Sequence, residues 1–359
     1  MKRQRGIALI TAIFVVALAS IAAVGMFEAA NISVHRSANL VQSEAELWYA
    51  TGVESWVKGI LIQDAKLNNK AVGFNGLWAQ PVDFLPIDGG GIRGHIVDLQ
   101  GRFNLNNIGV GVLNTNANPG TAATGPMIYI EQFDRLLDNL PNFDASKYHG
   151  MGYAIRDWID ADDQRSGTNG AEDQDYLSQD PPYRAANQPF RSVSELMLVK
   201  GMTKELYAAL QPYVAALPTT PPGTVALANP ATPANLGGNV TAINVNTAPE
   251  PVLLSLAPNI TNKAAVERFI AIRKTQPITN YSDLTIGSGG SSGSSSSEIA
   301  FIPPSTGTTN TGTVPIAALS NYFELQAEVF IGSGRLALYS VFYRANGTPV
   351  VLAHSTNTE

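Results

Sequence analysis

The 359-residue sequence contains no cysteine, so no disulfide can staple it and no thiolate can hold a metal. Charge is also scarce. Asp, Glu, Lys and Arg make up 14% of the chain and sum to −6, a balance that argues against a nucleic-acid partner. The four histidines, His35, His95, His149 and His354, are scattered and form no H-E-x-x-H spacing. A G-x-S-x-G nucleophile elbow in strand-to-helix context is missing, as is a phosphate-loop lysine motif. These absences exclude the commonest hydrolase classes and leave a non-enzyme as the expectation. What the chain has is 45% apolar residues, ample for a core, together with abundant Gly, Pro, Ser, Thr and Asn. That mixture fits an extracytoplasmic protein with long loops, and the length allows one large domain or two ordinary ones.

The N-terminus carries the strongest pattern. Lys2, Arg3 and Arg5 precede Gly6, and an uncharged apolar run follows from Ile7 to Phe27. Roughly 20 apolar residues cross a bilayer as one helix. The basic flank predicts an N-terminus held in the cytoplasm with the rest of the chain outside. A secretory signal peptide has a shorter apolar core and a small-residue cleavage site after it. The basic-then-glycine junction before a long apolar run instead resembles the class III leader of type IV pilins and type II secretion pseudopilins. That resemblance implies cleavage by a prepilin peptidase between Gly6 and Ile7, N-methylation of the new terminus, and an apolar helix that stays on the mature protein. It also implies a Glu as fifth mature residue, where this chain has Thr11. A carboxylate inside hydrocarbon is costly and is kept when it has a partner; in pilin fibres the implied partner is the terminal amine of a neighbouring subunit. Thr11 can hydrogen-bond to its own helix backbone and needs none. A subunit without the carboxylate suits the end of a fibre.

From Glu28 to Ile62 there is no proline, and Leu40, Leu47, Trp48, Val53, Trp56, Val57, Ile60 and Leu61 recur at helical spacing. The pattern predicts one long helix from about Ile7 to Gln63, half in a membrane and half packed on a globular domain. Next, Phe84, Leu85 and Ile87, a Gly-rich turn, and Ile92, Ile96, Val97 and Leu99 read as an antiparallel hairpin. Residues 109–125 read as a loop. A helical block follows over 126–217, with helices from Tyr129 to Leu140, from Tyr148 to Ala161, and from Ser192, which Glu195 complements as a capping pair. A Pro-rich linker spans 217–238, further helices run Pro251–Leu256 and Lys263–Lys274, and the tract at 287–297 is Gly/Ser low complexity. Alternation returns at Phe323–Ile331 and Leu336–Phe342, with a short strand at Pro349–Ala353. The expected fold class is α+β: a pilin-like long helix packed on an antiparallel sheet, with a large all-α domain inserted into it. The expected divisions are 1–6, 7–27, 28–110, 111–286, 287–312 and 313–359.

Residues 192–214 resemble a helix-hairpin-helix unit, as in sterile-alpha-motif-like domains, turning at Lys200, Gly201 and Met202; residues 244–274 look like a degenerate second copy. Such units often bind phosphate backbones. Glu195 and Glu205 beside Lys200 and Lys204 favour a packing role and no nucleic acid. The sharpest chemical feature is an acidic segment holding Asp157, Asp160, Asp162, Asp163, Glu172, Asp173 and Asp175, with Gly167 and Gly170 between its two clumps. Hard oxygen donors on a loop that can fold back suit calcium and disfavour zinc or copper. The spacing is not that of an EF-hand. The same residues also read as a solvated acidic loop with helix caps, in which Asp157 is a helix-face residue and Asp175 accepts backbone hydrogen bonds. Paired carboxylates near Trp158, Tyr176 and Tyr183 admit a glycosidase reading, against which local aromatic packing is the simpler account.

The leader with Thr11, the FNLNN segment, the W-I-D…A-E-D-x-D-Y loop, the NVNTAP segment and the final strands together resemble, in order and over nearly the whole chain, the general secretion pathway protein K family. The resemblance implies a minor pseudopilin at the tip of the type II secretion pseudopilus that initiates or caps the fibre. It implies minor pseudopilins of the I and J types, the major pseudopilin and the inner-membrane secretion platform as partners, with a prepilin peptidase as processing enzyme. It implies a single-pass inner-membrane protein with its bulk in the periplasm. It also implies calcium, one or two ions, with Asp160, Asp162, Glu172 and Asp173 foremost and Asp163 and Asp175 completing the set. A minor pilin priming a type IV pilus, and a membrane-anchored calcium-binding module, share parts of the pattern. The leader reading predicts that protein purified from membranes containing prepilin peptidase has an intact mass beginning at N-methylated Ile7. An uncut terminus, or a cut after Phe27, contradicts it.

Overall fold

The computed structural model describes residues 7–111, 126–219, 240–258, 260, 262–279, 314–344 and 348–357. Gly6, most of the expected loop at 109–125, nearly all of the Pro-rich linker and the whole Gly/Ser tract lie outside these residues.

A single helix, α1 (Ile7–Leu67), runs for 61 residues, roughly 90 Å at 1.5 Å per residue. It contains no proline. Among the described residues it is the one helix long and apolar enough to cross a membrane. Its second half does not present the single apolar stripe the spacing predicts. Ala50, Val53, Val57 and Leu61 are buried, whereas Leu40, Leu47, Trp48 and Trp56 are exposed, Trp48 by 71%. The physical reason is angular. Successive residues turn by 100°, which lines 50, 53, 57 and 61 along one narrow face and puts Trp48 on the opposite side. The buried line is all that one sheet can cover.

That sheet has five antiparallel strands in the order β1 (Val82–Ile87), β2 (Gly90–Asp98), β7 (Tyr322–Ile331), β8 (Gly334–Tyr343) and β9 (Val350–Thr356). Strand β2 pairs with β7 over its whole length, from Gly90 opposite Ile331 to Asp98 opposite Phe323. Period-two alternation aims Ile92, Ile96, Phe323, Leu325, Val329, Leu338 and Phe342 at α1, where they close a core with Val53, Val57, Leu61 and Trp78. In the predicted hairpin β1 is a thin edge, with Phe84 and Leu85 exposed and Pro86 within it. Gly90 is required by packing, because a Cβ there would fall on the Phe330 carbonyl.

The described elements between β2 and β7 make up the insert. It comprises β3 (Phe103–Asn104), α2 (Pro126–Asp138), α3 (Met151–Ile159), α4 (Asp173–Tyr176), α5 (Lys204–Leu210), β4 (Val214–Ala215), β5 (Ile243–Asn244), α6 (Glu250–Ser255), α7 (Lys263–Arg273) and β6 (Ile316–Ala317). β3 pairs in parallel with β4, and β5 with β6. The helix expected at Ser192 is instead a 3₁₀ turn over Val193–Leu198, closed as anticipated by Glu195 accepting from the Ser192 amide at 3.0 Å. The insert buries its own large core, including Phe103, Phe133, Leu136, Ile155, Trp158, Leu206 and Val252.

Side-chain amides tie its irregular segments together. Asn104 accepts from Leu217 N at 2.9 Å and donates to Leu217 O at 3.1 Å. Asn106 does the same to Phe190, at 2.8 and 3.0 Å, and Asn107 to Thr241, at 2.9 Å each way. Each Asn thereby acts as a strand partner for a backbone that has none. At the seam with the sheet, the buried Asp98 accepts hydrogen bonds from Gln100 N, Asn244 Nδ2, Thr247 Oγ1 and Ser320 Oγ at 2.6–2.9 Å. Burial pushes its carboxyl up while these four donors pull it down. A buried ion pair, Arg344 to Asp64 at 3.1 Å, fastens the end of α1 to the residue after β8; Arg344 also donates to Leu61 O and lies over the Phe323 ring.

Replacing Asp98 by Ala takes the acceptor from the buried Ser320 hydroxyl, leaves Thr247 Oγ1 only the Asn244 carbonyl at 3.4 Å, and strips Asn244 Nδ2 of one of its three acceptors. The expected loss is about 3 kcal/mol or more, read as a lower urea midpoint. A change below about 0.5 kcal/mol would show that the seam does not depend on this carboxylate.

Candidate functional site

The acidic segment begins on α3, whose inward face buries Asp157. Asp160 caps the C-terminus of α3, its amide bonded to Arg156 O at 2.9 Å. The chain then loops outward and returns. Ser166 N donates to Asp157 Oδ1 at 2.9 Å, and Gly170 N reaches Gly167 O at 3.2 Å. Gly170 is the residue that lets the loop close, because a Cβ there would overlap Asp157 Oδ2. Glu172 follows at the N-cap of α4, its amide held by Asp175 Oδ2 at 3.0 Å.

These turns bring one oxygen each of Asp157, Asp160 and Glu172 within 4.8 Å of one another. All three side chains are buried. Asp157 Oδ2, Asp160 Oδ1 and both Glu172 oxygens have no hydrogen-bond partner. The nearest counter-charge is Arg156 Nε, 3.6 Å from Asp160 Oδ2, too far for a hydrogen bond. Burial, more than mutual repulsion, pushes Asp160 up to about 7 and Glu172 up to about 8, and raises Asp157 as well. Converging buried carboxylates with open lone pairs, and no histidine or sulfur among them, form a donor set for a hard divalent cation.

The structure divides the candidate ligands. Asp160 and Glu172 meet as anticipated, and Asp157, set aside as a helix-face residue, is the third member. Its position three residues before Asp160 on a helix puts both on one face, which is the signal that could have identified it. Asp162 and Asp163 are exposed, and Asp162 Oδ1 accepts from Gln164 N at 2.8 Å. Asp173 pairs with Arg184 at 3.0 Å and accepts from Ala185 N. Asp175 is held by Arg165 at 2.7 Å and Lys200 at 2.8 Å. The structure does not bring Asp162, Asp163, Asp173 or Asp175 into the buried group; the last two tie its loop to neighbouring segments. Trp158, Tyr176 and Tyr183 pack on one another, with centroids 5.2–6.3 Å apart, and form no open sugar platform.

Comparison with known proteins decides the family. Two models described as "Type II secretion system (T2SS), protein K" match residues 101–219 and 243–300. The type II secretion system protein K of Pseudomonas aeruginosa is 30% identical over 95% of this chain and 89% of its own. The chain belongs to the type II secretion system protein K family. The protein K of Pectobacterium carotovorum is 32% identical, over 92% of this chain and 89% of its own. A solved GspK-GspI-GspJ complex from enterotoxigenic Escherichia coli contains a chain of the same fold, with a TM-score of 0.62 and 24% identity over 90% of this chain and all of that one. Protein K members are minor pseudopilins of the type II secretion system, and this chain is one. The pilin-like α+β fold is that of the family, and the type IV pilus reading is set aside.

A pH dependence follows from the raised carboxyls. In the folded state Asp160 and Glu172 titrate near 7 and 8, above their ordinary values, so their stabilising protonation is complete only below about 4 and is lost as pH rises through 8. Without divalent ions, the melting temperature should therefore fall as pH rises from about 5 to about 8. Glu172→Gln should flatten that slope, and equal slopes in the two proteins would contradict the assignment.

Proposed function

We propose that this minor pseudopilin stands at the tip of the type II secretion pseudopilus, where it initiates or caps the fibre beside minor pseudopilins of the I and J types. The observation that carries this reading is the combination on one rod: an uninterrupted 61-residue α1 with Thr11 where the resemblance implies a carboxylate, ending in a domain broadened by an insert. A subunit without that carboxylate has nothing to offer the terminal amine of a subunit above it, and its width does not fit within a shaft. The solved relative of the same fold was crystallised with GspI and GspJ, which supports those types as neighbours.

The first third of α1 anchors the chain in the inner membrane as a single pass, with the bulk of the protein in the periplasm. Beyond the roughly 20 residues that span hydrocarbon, Leu40, Val41, Leu47, Trp48 and Trp56 remain exposed on the rod. They form the face against which neighbouring helices pack.

Calcium is the resident ion of this reading. Asp157, Asp160 and Glu172 would hold it, and it would supply the positive charge that three buried carboxylates otherwise lack. Asp157 lies on α3, Asp160 caps its C-terminus and Glu172 caps the N-terminus of α4, so an ion between them clamps the loop and stiffens the insert.

Thr11→Glu tests the tip assignment. The variant is expected to insert and be processed like the parent while secretion falls several-fold and cross-linking to the I- and J-type subunits declines. Undiminished secretion with unchanged cross-links removes the argument from Thr11.

A further inference from the structure

One charged side chain beside the buried carboxylates is used by nothing described so far. Arg156, on α3, is buried, with 7% of its side chain exposed. Its two terminal nitrogens are occupied: Nη1 donates to Ile108 O and Nη2 to Gly111 O, both at 2.9 Å. Its Nε has no hydrogen-bond partner and faces Asp160 Oδ2 from 3.6 Å. The fork on two backbone carbonyls prevents the guanidinium from swinging out to solvent, unlike the exposed Arg165 and Arg184 on the rim. Nor does it fill the centre, since Asp160 Oδ1 and the free oxygens of Asp157 and Glu172 stay open. Arg156 is thus a permanent positive charge held just outside the donor set.

We propose that Arg156 determines the charge of the ion the centre accepts. Once an ion has displaced their protons, the three buried carboxylates against one guanidinium carry a surplus of two negative charges, matched by one divalent cation, while the nearby Asp162 and Asp163 are exposed and screened by solvent. A monovalent ion leaves the buried group under-neutralised. A trivalent ion leaves it over-neutralised and must also give up a larger hydration shell, and burying an uncompensated charge is costly in either case. Removing the guanidinium raises the surplus to three and shifts the match towards trivalent ions. The inference rests on the calcium reading above and adds to it a specificity-determining residue. Arg156 acts through its field and touches no ion.

The test compares calcium with terbium on the full-length protein in detergent, calcium by titration calorimetry and terbium by luminescence excited through the neighbouring buried Trp158. Arg156→Gln removes the charge but keeps an amide that can still donate to a carbonyl, and Arg156→Lys keeps the charge. Arg156→Gln is expected to raise the preference for terbium over calcium by about tenfold or more, the scale of one unit charge at this separation in a partly screened site. Arg156→Lys should keep the parental ratio within about threefold. An unchanged ratio in Arg156→Gln, with binding intact, overturns this proposal and leaves calcium as the resident ion. If Arg156→Gln does not fold, the parent protein decides by itself: a charge-matched centre prefers terbium by less than about tenfold, and a preference of about a hundredfold or more overturns the assignment. If neither ion binds the parent, the calcium reading fails and this proposal fails with it.

Discussion

The buried carboxylate of Asp98 fixes how the two parts of the molecule meet. It lies at the last residue of β2, where the chain leaves the sheet for the insert. Its four donors come from the segment just after β2, from the first and fourth residues of the NVNTAP stretch, and from the approach to β7. Desolvating a carboxylate there is costly, and the cost is met only when all four donors arrive together. The seam is therefore specified by chemistry as well as by apolar contact. A slipped register at β2 and β7 would move Asp98 away from Ser320 and strand a charge in the interior.

The same logic recurs inside the insert. The irregular segments there are too short to form sheets of their own, yet they are buried. Asn104, Asn106, Asn107, Asn244 and Asn246 supply the missing partners, because an amide side chain offers the same donor and acceptor as a peptide group. Mechanical linkage follows. Arg156 reaches from α3 to the carbonyls of Ile108 and Gly111, directly after the asparagine cluster. The carboxylate centre is thereby joined through one side chain to the segment that holds the insert together.

Much of this was legible in the sequence because it depends on local period. The long helix, the alternation of β7 and β8, and the positions of α2, α3, α6 and α7, to within about three residues at their ends, come from spacing within a dozen residues. What was not legible depends on distant partners. Local spacing puts Trp48 and Val57 on opposite sides of α1, but only the position of the sheet decides which side is covered. Asp173 and Asp175 look like ligands until Arg184, Arg165 and Lys200 arrive from elsewhere in the fold. Asp157 looks like a surface residue until Gly170 folds back against it.

The pairing of β2 with β7 has a consequence for synthesis. Asp98 and Ser320 are 222 residues apart in sequence, so the first two strands emerge long before their neighbours exist. Until β7 and β8 are made, Val53, Val57 and Leu61 have only a two-stranded hairpin to cover them, and such a hairpin is marginal in water. A chain whose translation stops inside the insert leaves that apolar face of α1 bare, open to proteases and chaperones. The face of α1 that the sheet covers is therefore completed only when the far end of the chain has been made.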